Sequence, residues 1–186
     1  GNSVLISQPE TGALVSEYSI GGTPLRSFGE LRATGHEANR DLHLALNVGL
    51  PLVASGGDRL FVFVTGEPRF RRYDARGRLV FERLLQGREI DGLMARQPTT
   101  WPRRRIGGDE LPLVPPTVRA AAVAPNGQLW IALATGVVYA YDADGEKLRV
   151  VTLRGAGPLV PDTLAFTPAG RLLVAPGLYE FDVARG

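Results

Sequence analysis

The pentapeptide Tyr73-Asp74-Ala75-Arg76-Gly77 returns almost unchanged as Tyr141-Asp142-Ala143-Asp144-Gly145. Each copy lies between two apolar or alternating runs, for example Arg69 to Tyr73 and Leu79 to Leu85 around the first copy. Asp at the first turn position accepts hydrogen bonds from the backbone that follows it, and Gly three residues later adopts the left-handed conformation that closes the turn. Both stretches are therefore predicted to be β-hairpins.

A second type of hairpin lies upstream of both copies, and a third example of it comes later in the chain. In each, a short apolar strand leads into a polar turn with Gly and then into another apolar strand. The three stretches are Leu52 to Phe61, Ala122 to Trp130 and Leu164 to Leu173. The N-terminal stretch Ser3 to Ile20 is interpreted as one more hairpin of the first type.

The two hairpin types together form a unit of four antiparallel strands with a shortest period of roughly 40 residues. Such a unit is typical of a β-propeller blade. The predicted innermost strands, Leu50 to Ala54, Ala120 to Ala124 and Thr163 to Phe166, are mainly small and apolar, as a crowded centre requires. Very little helix is expected, because the best candidate, Leu42 to Leu46, is short and precedes Gly49-Leu50-Pro51. The fold prediction is an all-β, partial or incomplete β-propeller, and the alternative is an unrelated β-sandwich.

The repeats divide the chain into four predicted units. Residues 1–20 form the outer hairpin of a first blade, 21–85 a second blade preceded by a long loop, 86–153 a third blade with a Pro/Arg-rich loop, and 154–186 an incomplete last blade. These units amount to about three and a half blades, and a closed ring needs about four or more. We expect either a piece of a longer propeller, missing about two or three blades upstream of Gly1, or a half-ring completed by another chain.

These repeats resemble those of bacterial six-bladed β-propellers of the NHL-like kind. The matching segments are positions 73–79, 124–130 and 166–173. The resemblance implies the fold, but such repeats are shared by binding modules, scaffolds, lactonases and lyases. The start of this chain in the middle of a blade departs from the family pattern.

Composition limits the possible functions. The chain has 186 residues, a net charge of +2, no Cys, and one Lys among its 21 basic residues. The arginines are dispersed among acids, which predicts a solvated ion-pair surface and no nucleic-acid partner. We expect no thiolate site and no transmembrane segment, since no run of about 18 apolar residues occurs. The opening residues do not have the charged and then apolar pattern of a signal peptide. Any membrane association would require a partner.

Two long loops are where function is expected, since long insertions in a compact domain are usually functional or mobile. Residues 21–48 hold both histidines, His36 and His43, whose spacing matches no standard metal motif. His43 is interpreted as entering a strand. Asp162, at the start of an inner strand, is a single candidate metal ligand, and Arg119 takes the equivalent edge of the preceding blade. No metal site, cofactor or catalytic set is therefore predicted.

Residues 86–118 contain the predicted binding residues Trp101, Arg103, Arg104 and Arg105. An aromatic anchor beside planar cationic donors is typical of binding hot spots, and flanking prolines lower the ordering cost of binding. The alternative is that Trp101 covers the ring surface while the arginines face water.

The sequence thus favours a non-enzymatic protein-interaction or scaffold module that binds a protein partner through its long loops. We expect it to be extracytoplasmic, periplasmic or secreted. The alternatives are a metal-dependent propeller hydrolase or lactonase, and a sensor domain that binds a sugar, a peptide or another small ligand.

Overall fold

Four antiparallel sheets follow one another along the chain in the computed structural model, which describes residues 3–155 and 157–183. Sheet 1 contains β1 (Ser3–Ser7), β2 (Ala13–Ser19) and β3 (Pro24–Glu30), and helix α1 (Arg40–Ala45) follows it. Sheet 2 contains β4 (Gly49–Val53), β5 (Arg59–Phe63), β6 (Arg69–Tyr73) and β7 (Leu79–Leu84). Helix α2 (Arg88–Met94) and a separate hairpin of β8 (Arg103–Ile106) and β9 (Asp109–Pro112) come next.

The second half of the chain continues the same order. Sheet 3 contains β10 (Val118–Val123), β11 (Leu129–Leu133), β12 (Val137–Tyr141) and β13 (Lys147–Thr152). Sheet 4 contains β14 (Thr163–Phe166), β15 (Arg171–Ala175) and β16 (Tyr179–Asp182). The inner strands β4, β10 and β14 lie beside one another, and β1 lies beside β4. This arrangement of strand order and adjacent inner strands confirms the predicted all-β architecture of propeller blades.

Three apolar cores lie between the sheets, one for each pair of successive sheets. Phe28 of sheet 1 packs in one cluster with Phe61 and Tyr73 of sheet 2. Sheets 2 and 3 share the largest cluster, which includes Phe70 and Tyr139, and sheets 3 and 4 share another around Trp130. Each sheet therefore buries both faces when it has a neighbour on both sides.

The N-terminal sheet differs from the prediction. The predicted outer hairpin covers residues 1–20, whereas the sheet extends to Glu30 and its last turn is Tyr18-Ser19-Ile20-Gly21-Gly22. This turn has the features of the two repeated turns: Gly22 N–H donates to the Ser19 carbonyl at 2.9 Å, and the ladder shifts register just before Tyr18. It is a further, diverged copy of the repeated turn, so β1, β2 and β3 correspond to the second, third and fourth strands of a blade.

The closing glycines of the repeated turns also determine how the sheets approach each other. Gly77 and Gly145 both have φ +81°, which L side chains rarely adopt. A Cβ atom on Gly77 would lie 2.9 Å from the Phe28 Cβ, and one on Gly145 would lie 2.9 Å from the Phe81 ring. Each turn thus packs against an aromatic residue of the preceding sheet, and Gly is required there for contact as well as for conformation.

Arginines connect successive sheets at the same turns. In three of these turns, the carbonyl of the residue after the Asp accepts a hydrogen bond from an arginine of the preceding sheet. Arg26 donates to the Ala75 carbonyl at 2.8 Å, Arg149 donates to the Val183 carbonyl at 3.4 Å, and Arg72 donates to the Ala143 carbonyl. Arg26 and Arg72 form ion pairs with Glu17 and Asp58, as predicted for the arginines. All three arginines in addition bind a turn carbonyl of the neighbouring sheet, which the sequence analysis did not predict.

Glu17 is the buried acid of the boundary between sheets 1 and 2, with 5% of its surface exposed. Its carboxylate accepts hydrogen bonds from Ser3 at 2.5 Å, Arg26 at 2.7 Å and Arg59 of sheet 2 at 3.1 Å. Burial alone raises the pKa of this carboxyl, but the three donors outweigh it and lower the pKa to about 2. The ion pairs therefore hold Glu17 charged inside the sheet boundary.

Two short helices lie in the two long loops, where the sequence predicted almost no helix. Asn39 caps α1, its side chain accepting from the Leu42 N–H at 3.3 Å. Neither helix, nor any other within the described ranges, has the length and apolar composition to cross a membrane.

Candidate functional site

The two long loops meet on one surface, which we call the loop face and define as residues 31–48, 64–68 and 85–117. The connections from a fourth strand to the next first strand and from a second to a third strand lie at the same end of each sheet, so these segments are brought together. Thr65 Oγ1 donates to the Ala45 carbonyl at 2.7 Å, and Thr117 Oγ1 donates to the Gly66 carbonyl at 3.0 Å. The long loops are thus held to the sheets by short polar contacts.

Arg32 is the central anchor of the loop face. It is 7% exposed, and its guanidinium donates to the carbonyls of Leu46 and Thr65 at 2.7 Å and of Glu67 at 2.8 Å. It also lies 4.6 Å from the centre of the Phe63 ring. Burial, with Arg69 nearby, lowers its pKa to about 10, so it remains a cation at neutral pH. Three carbonyls and a ring therefore stabilise this charge without a carboxylate in hydrogen-bonding contact.

The β8–β9 hairpin docks on α1. Arg103 forms an ion pair of 2.9 Å with Asp41 and also donates to the carbonyl of Glu110. Gly107 and Gly108 form the two-residue turn with φ +60° and +103°. The part of the second long loop that follows α2 therefore contains an ordered hairpin, which is attached to α1 through Arg103.

Arg104 and Arg105 lie on the same hairpin, and both are exposed. Neither guanidinium makes a hydrogen bond or ion pair with any residue in the described ranges. The run of three predicted binding arginines is thus divided: Arg103 has a structural contact, while the guanidinium groups of Arg104 and Arg105 are exposed to solvent.

Trp101 is half-buried and lines a pocket of about 210 Å³ at the centre of the loop face. Met94 and Gln97 form the wall on its own side, while His36 belongs to the first long loop and Arg69 to the start of β6. Arg69 is paired with Glu82 at 2.7 Å and with Glu67. Trp101 therefore lines a cavity that both long loops help to form, and its role in binding stays a prediction.

An apolar groove adjoins the base of the hairpin. Its walls are mainly proline and leucine, from Pro98, Pro102, Pro112, Leu113 and Pro115, around a space of about 720 Å³. Leu113 is 42% exposed in this groove, and Ile106, at the tip of the hairpin, is 52% exposed. Exposed apolar side chains beside free guanidinium groups are the residue types found in protein interfaces.

The structure places the other sequence candidates in structural roles. His43 lies in α1, not in a strand, and its Nδ1 is 2.8 Å from Thr34 Oγ1. Asp162 is paired with Arg119 across the inner strands, with the Arg119 Nε at 2.7 Å. Within residues 3–155 and 157–183, no three or more His or acidic side chains come together as a metal ion would need.

Sequence reasoning missed Arg32 and Asn47, the pair that fixes the first long loop. Asn47 is fully buried; it accepts from the Arg32 N–H at 2.8 Å and donates to the His43 carbonyl at 2.9 Å. No motif marks either residue, because their partners are backbone groups distant in sequence. The hairpin, by contrast, had a signal: Gly107-Gly108 between two short runs is a two-residue turn pattern.

Helix α2 is attached to sheet 3 through one polar contact. Tyr139 donates its hydroxyl to Glu89 at 2.6 Å. Burial and this carboxylate raise the pKa of Tyr139. The loop that carries Trp101 is therefore tied to the sheets at α2 as well as at Thr117.

Comparison with known proteins gives the fold. No protein-family model matches the sequence, and no curated protein matches it at a significant level. Among solved structures, the WD40 β-propeller domain of Doa1 matches 93% of this chain and 43% of its own, with a TM-score of 0.53 and 12% identity. A protein of unknown function from Bacteroides caccae matches 94% of this chain and 49% of its own, with a TM-score of 0.50 and 17% identity.

A third similar structure is the extracellular domain of a putative hybrid two-component system from B. thetaiotaomicron. It matches 100% of this chain and 22% of its own, with a TM-score of 0.52 and 14% identity. The chain thus spans between about a fifth and a half of the solved structures it matches. At these identities the likeness concerns architecture, and it agrees with the four sheets described above: the chain has a β-propeller fold.

Proposed function

We propose that this chain is a non-enzymatic protein-interaction or scaffold module that binds a partner through its loop face. The contact surface is the β8–β9 hairpin with its adjoining groove. The partner segment is acidic and carries apolar side chains, because the hairpin offers two unpaired guanidinium groups next to exposed Ile106 and Leu113.

The proposal rests mainly on the ion pair between Arg103 and Asp41. This pairing fixes the hairpin to α1, so that Arg104 and Arg105 are presented from an ordered strand. An ordered donor pair loses less entropy on binding than a mobile loop does. Planar guanidinium groups also pair with carboxylates in a bidentate manner.

A displayed random-peptide selection on the immobilised protein tests this proposal. We expect enriched peptides to contain Asp or Glu next to a large apolar residue. The double variant Arg104→Ala/Arg105→Ala should lower the affinity for these peptides by about tenfold or more, since hydrogen bonds to charged groups contribute about 1.5–3 kcal/mol each. The matched control is Arg76→Ala/Arg78→Ala, which removes two exposed arginines from a turn at the opposite end of sheet 2.

Binding that the two double variants reduce equally would count against a specific role of the hairpin, because it would report only net charge. Enriched peptides without acidic residues would contradict the proposed partner chemistry. Circular dichroism should show that both variants keep the fold, since all four side chains are exposed.

A second candidate function is a sensor domain for a small ligand, and the Trp101 pocket favours it. A cavity of about 210 Å³ lined by an aromatic ring, Met94 and Arg69 suits a small molecule with an anionic group. A ligand screen by thermal shift, followed by quenching of Trp fluorescence, tests this. Quenching should disappear in Trp101→Phe, because the other tryptophan, Trp130, is only 1% exposed.

The finer family assignment is part of the same proposal. We infer an NHL-like, six-bladed bacterial propeller from the repeat segments alone. An extracytoplasmic location is likewise proposed, and it is supported by the extracellular domain among the similar structures. The predicted metal-dependent hydrolase has no specific observation in its favour.

A further inference from the structure

The β8–β9 hairpin has backbone groups that point away from its own ladder. The Leu113 N–H donates to the Pro102 carbonyl at 2.7 Å, so these two residues form a hydrogen-bonded pair just below the hairpin. Hydrogen-bonded and non-hydrogen-bonded pairs alternate along an antiparallel ladder. By the observed register, Arg104 therefore bonds across to β9, whereas the N–H and C=O groups of Arg103 and Arg105 point outward from β8.

These outward groups of β8 are unpaired. The hairpin is a sheet of two strands, and in the described part of the chain no third strand pairs with it. Among the described residues, no group outside the hairpin bonds to the main chain of Arg103 or Arg105. All four residues of β8 are exposed. Two donors and two acceptors along one exposed strand are what an extended segment needs for pairing.

The outer edge of β9 is closed to the same kind of pairing. Pro112 lies opposite Arg103, at a position where the backbone N–H would point outward, and proline has no N–H. Proline at such a position prevents an edge strand from pairing further. Strand β9 also lies against α1. The hairpin therefore leaves the edge of β8 for a partner.

The side chains beside this edge determine which sequence would fit it. Arg104 and Ile106 project to one face of the hairpin, and Arg103 and Arg105 project to the other. Ile106 is 52% exposed. In the described part of the chain Arg104 and Arg105 form no ion pair, and this includes Arg105 with its ladder partner Glu110. A complementary strand would place an acid opposite each of these two arginines and an apolar residue opposite Ile106.

We propose that the protein partner binds by strand addition: an extended segment pairs antiparallel with the outer edge of β8, and it carries a β-branched apolar residue followed by two acidic residues. The inference rests on the proposed function and adds backbone recognition to it. In this binding mode main-chain hydrogen bonds give affinity and alternating side chains give specificity. Opposite charges directly across a ladder stabilise the pairing, and consecutive acids of one strand reach Arg105 and Arg104 on opposite faces of the sheet.

Binding of a fluorescein-labelled peptide, Thr-Val-Glu-Glu-Val-Thr-amide, followed by fluorescence anisotropy, tests the backbone contact. Arg105→Ala and Arg105→Pro form a matched pair, because both lose the guanidinium and only the Pro variant also loses the outward N–H. The hairpin should accept proline there, as it accepts Pro112 at the corresponding kind of position on β9. Arg105→Pro should lower the affinity about threefold to tenfold more than Arg105→Ala does, as expected for one lost hydrogen bond.

N-methylation of the peptide tests the same bonds on the wild-type protein, so this measurement does not depend on the folding of the Pro variant. With the two acids opposite Arg105 and Arg104, the N–H of the first Glu faces β8 and that of the second Glu points away. A methyl group on the first of these nitrogens should abolish binding. A methyl group on the second should leave the affinity nearly unchanged.

Equal losses in the Ala and Pro variants, or equal effects of the two methyl groups, overturn strand addition. If Arg104→Ala/Arg105→Ala still lowers the affinity in that case, the proposed function survives, since side chains alone then hold the peptide. No binding of this peptide to the wild type also overturns strand addition, while the random-peptide selection decides the proposed function separately. A wild-type dimer that Arg105→Pro dissociates would show that a second copy takes the edge of β8, which overturns the proposal as well.

Discussion

Replacing Glu17 by Gln should destabilise the protein in a way that depends on pH. The carboxylate is 5% exposed and accepts from Ser3, Arg26 and Arg59, and its pKa falls from an ordinary value of 4.5 to about 2. The lowered pKa corresponds to about 3 kcal/mol of stabilisation at pH 7. A group with a depressed native pKa stabilises above its unfolded pKa, and this contribution is lost as the pH falls toward the native value.

The stabilising contribution of Glu17 is therefore lost between about pH 5 and about pH 2. At pH 3 the unfolded carboxyl is already protonated while the native one is mostly charged, so about 1 kcal/mol of its contribution remains. Urea unfolding followed by Trp fluorescence at pH 7 and at pH 3 measures the difference between wild type and Glu17→Gln. That difference should shrink by about 2 kcal/mol between the two pH values.

Glu10→Gln is the control, because Glu10 is an exposed acid in the turn between β1 and β2. It should change stability by less than about 0.5 kcal/mol at either pH, as surface substitutions usually do. A loss in Glu17→Gln that is the same at pH 7 and pH 3 would refute the reasoning, since it would mean that packing rather than charge explains the role of the side chain.

Two further predictions concern the contacts between sheets. Gly145→Ala should lower the free energy of unfolding by about 1–2 kcal/mol more than Gly170→Ala does, as measured by thermal or urea unfolding. Both glycines have φ near +80°, but only at Gly145 would a new Cβ lie 2.9 Å from the Phe81 ring. Equal losses would mean that backbone conformation alone explains the effect. Tyr139→Phe should cost about 1 kcal/mol and speed amide exchange in α2, because the bond to Glu89 is lost. Tyr141→Phe should be neutral or stabilising, as the buried Tyr141 hydroxyl has no hydrogen-bond partner; similar losses in both variants would contradict the role given to Glu89.

The turns could be predicted because their physics is local. Asp74 and Asp142 accept the hydrogen bonds that the motif implies, from backbone N–H groups two and four residues later. The diverged copy at Tyr18 escaped notice because Ser19 replaces the Asp, although its hydroxyl accepts from the Thr23 N–H in the same way. The spacing of Tyr18 and Gly22 was the remaining signal, and recognising it would have assigned β1 to β3 correctly.

The candidate site was predicted only in part. Composition identified the second long loop and its arginines, but Arg103, Arg104 and Arg105 are equivalent in sequence and different in the fold. Only the approach of α1 pairs Arg103 with Asp41, 62 residues away in the chain. Arg32 shows the same limit, because three carbonyls from two separate segments surround it and no side-chain pattern predicts that.

The repeat period, the turn residues and the alternation within strands depend on residues close together in the chain. These features predicted a series of propeller blades from the sequence alone. Which side chains are buried, which arginine is free and which face lacks a neighbour depend on contacts between sheets, where groups far apart in the chain exclude water together. Val4 and Leu129 illustrate the difference: both are apolar residues in the same register of a β-strand, and the position of the neighbouring sheet alone exposes one and buries the other.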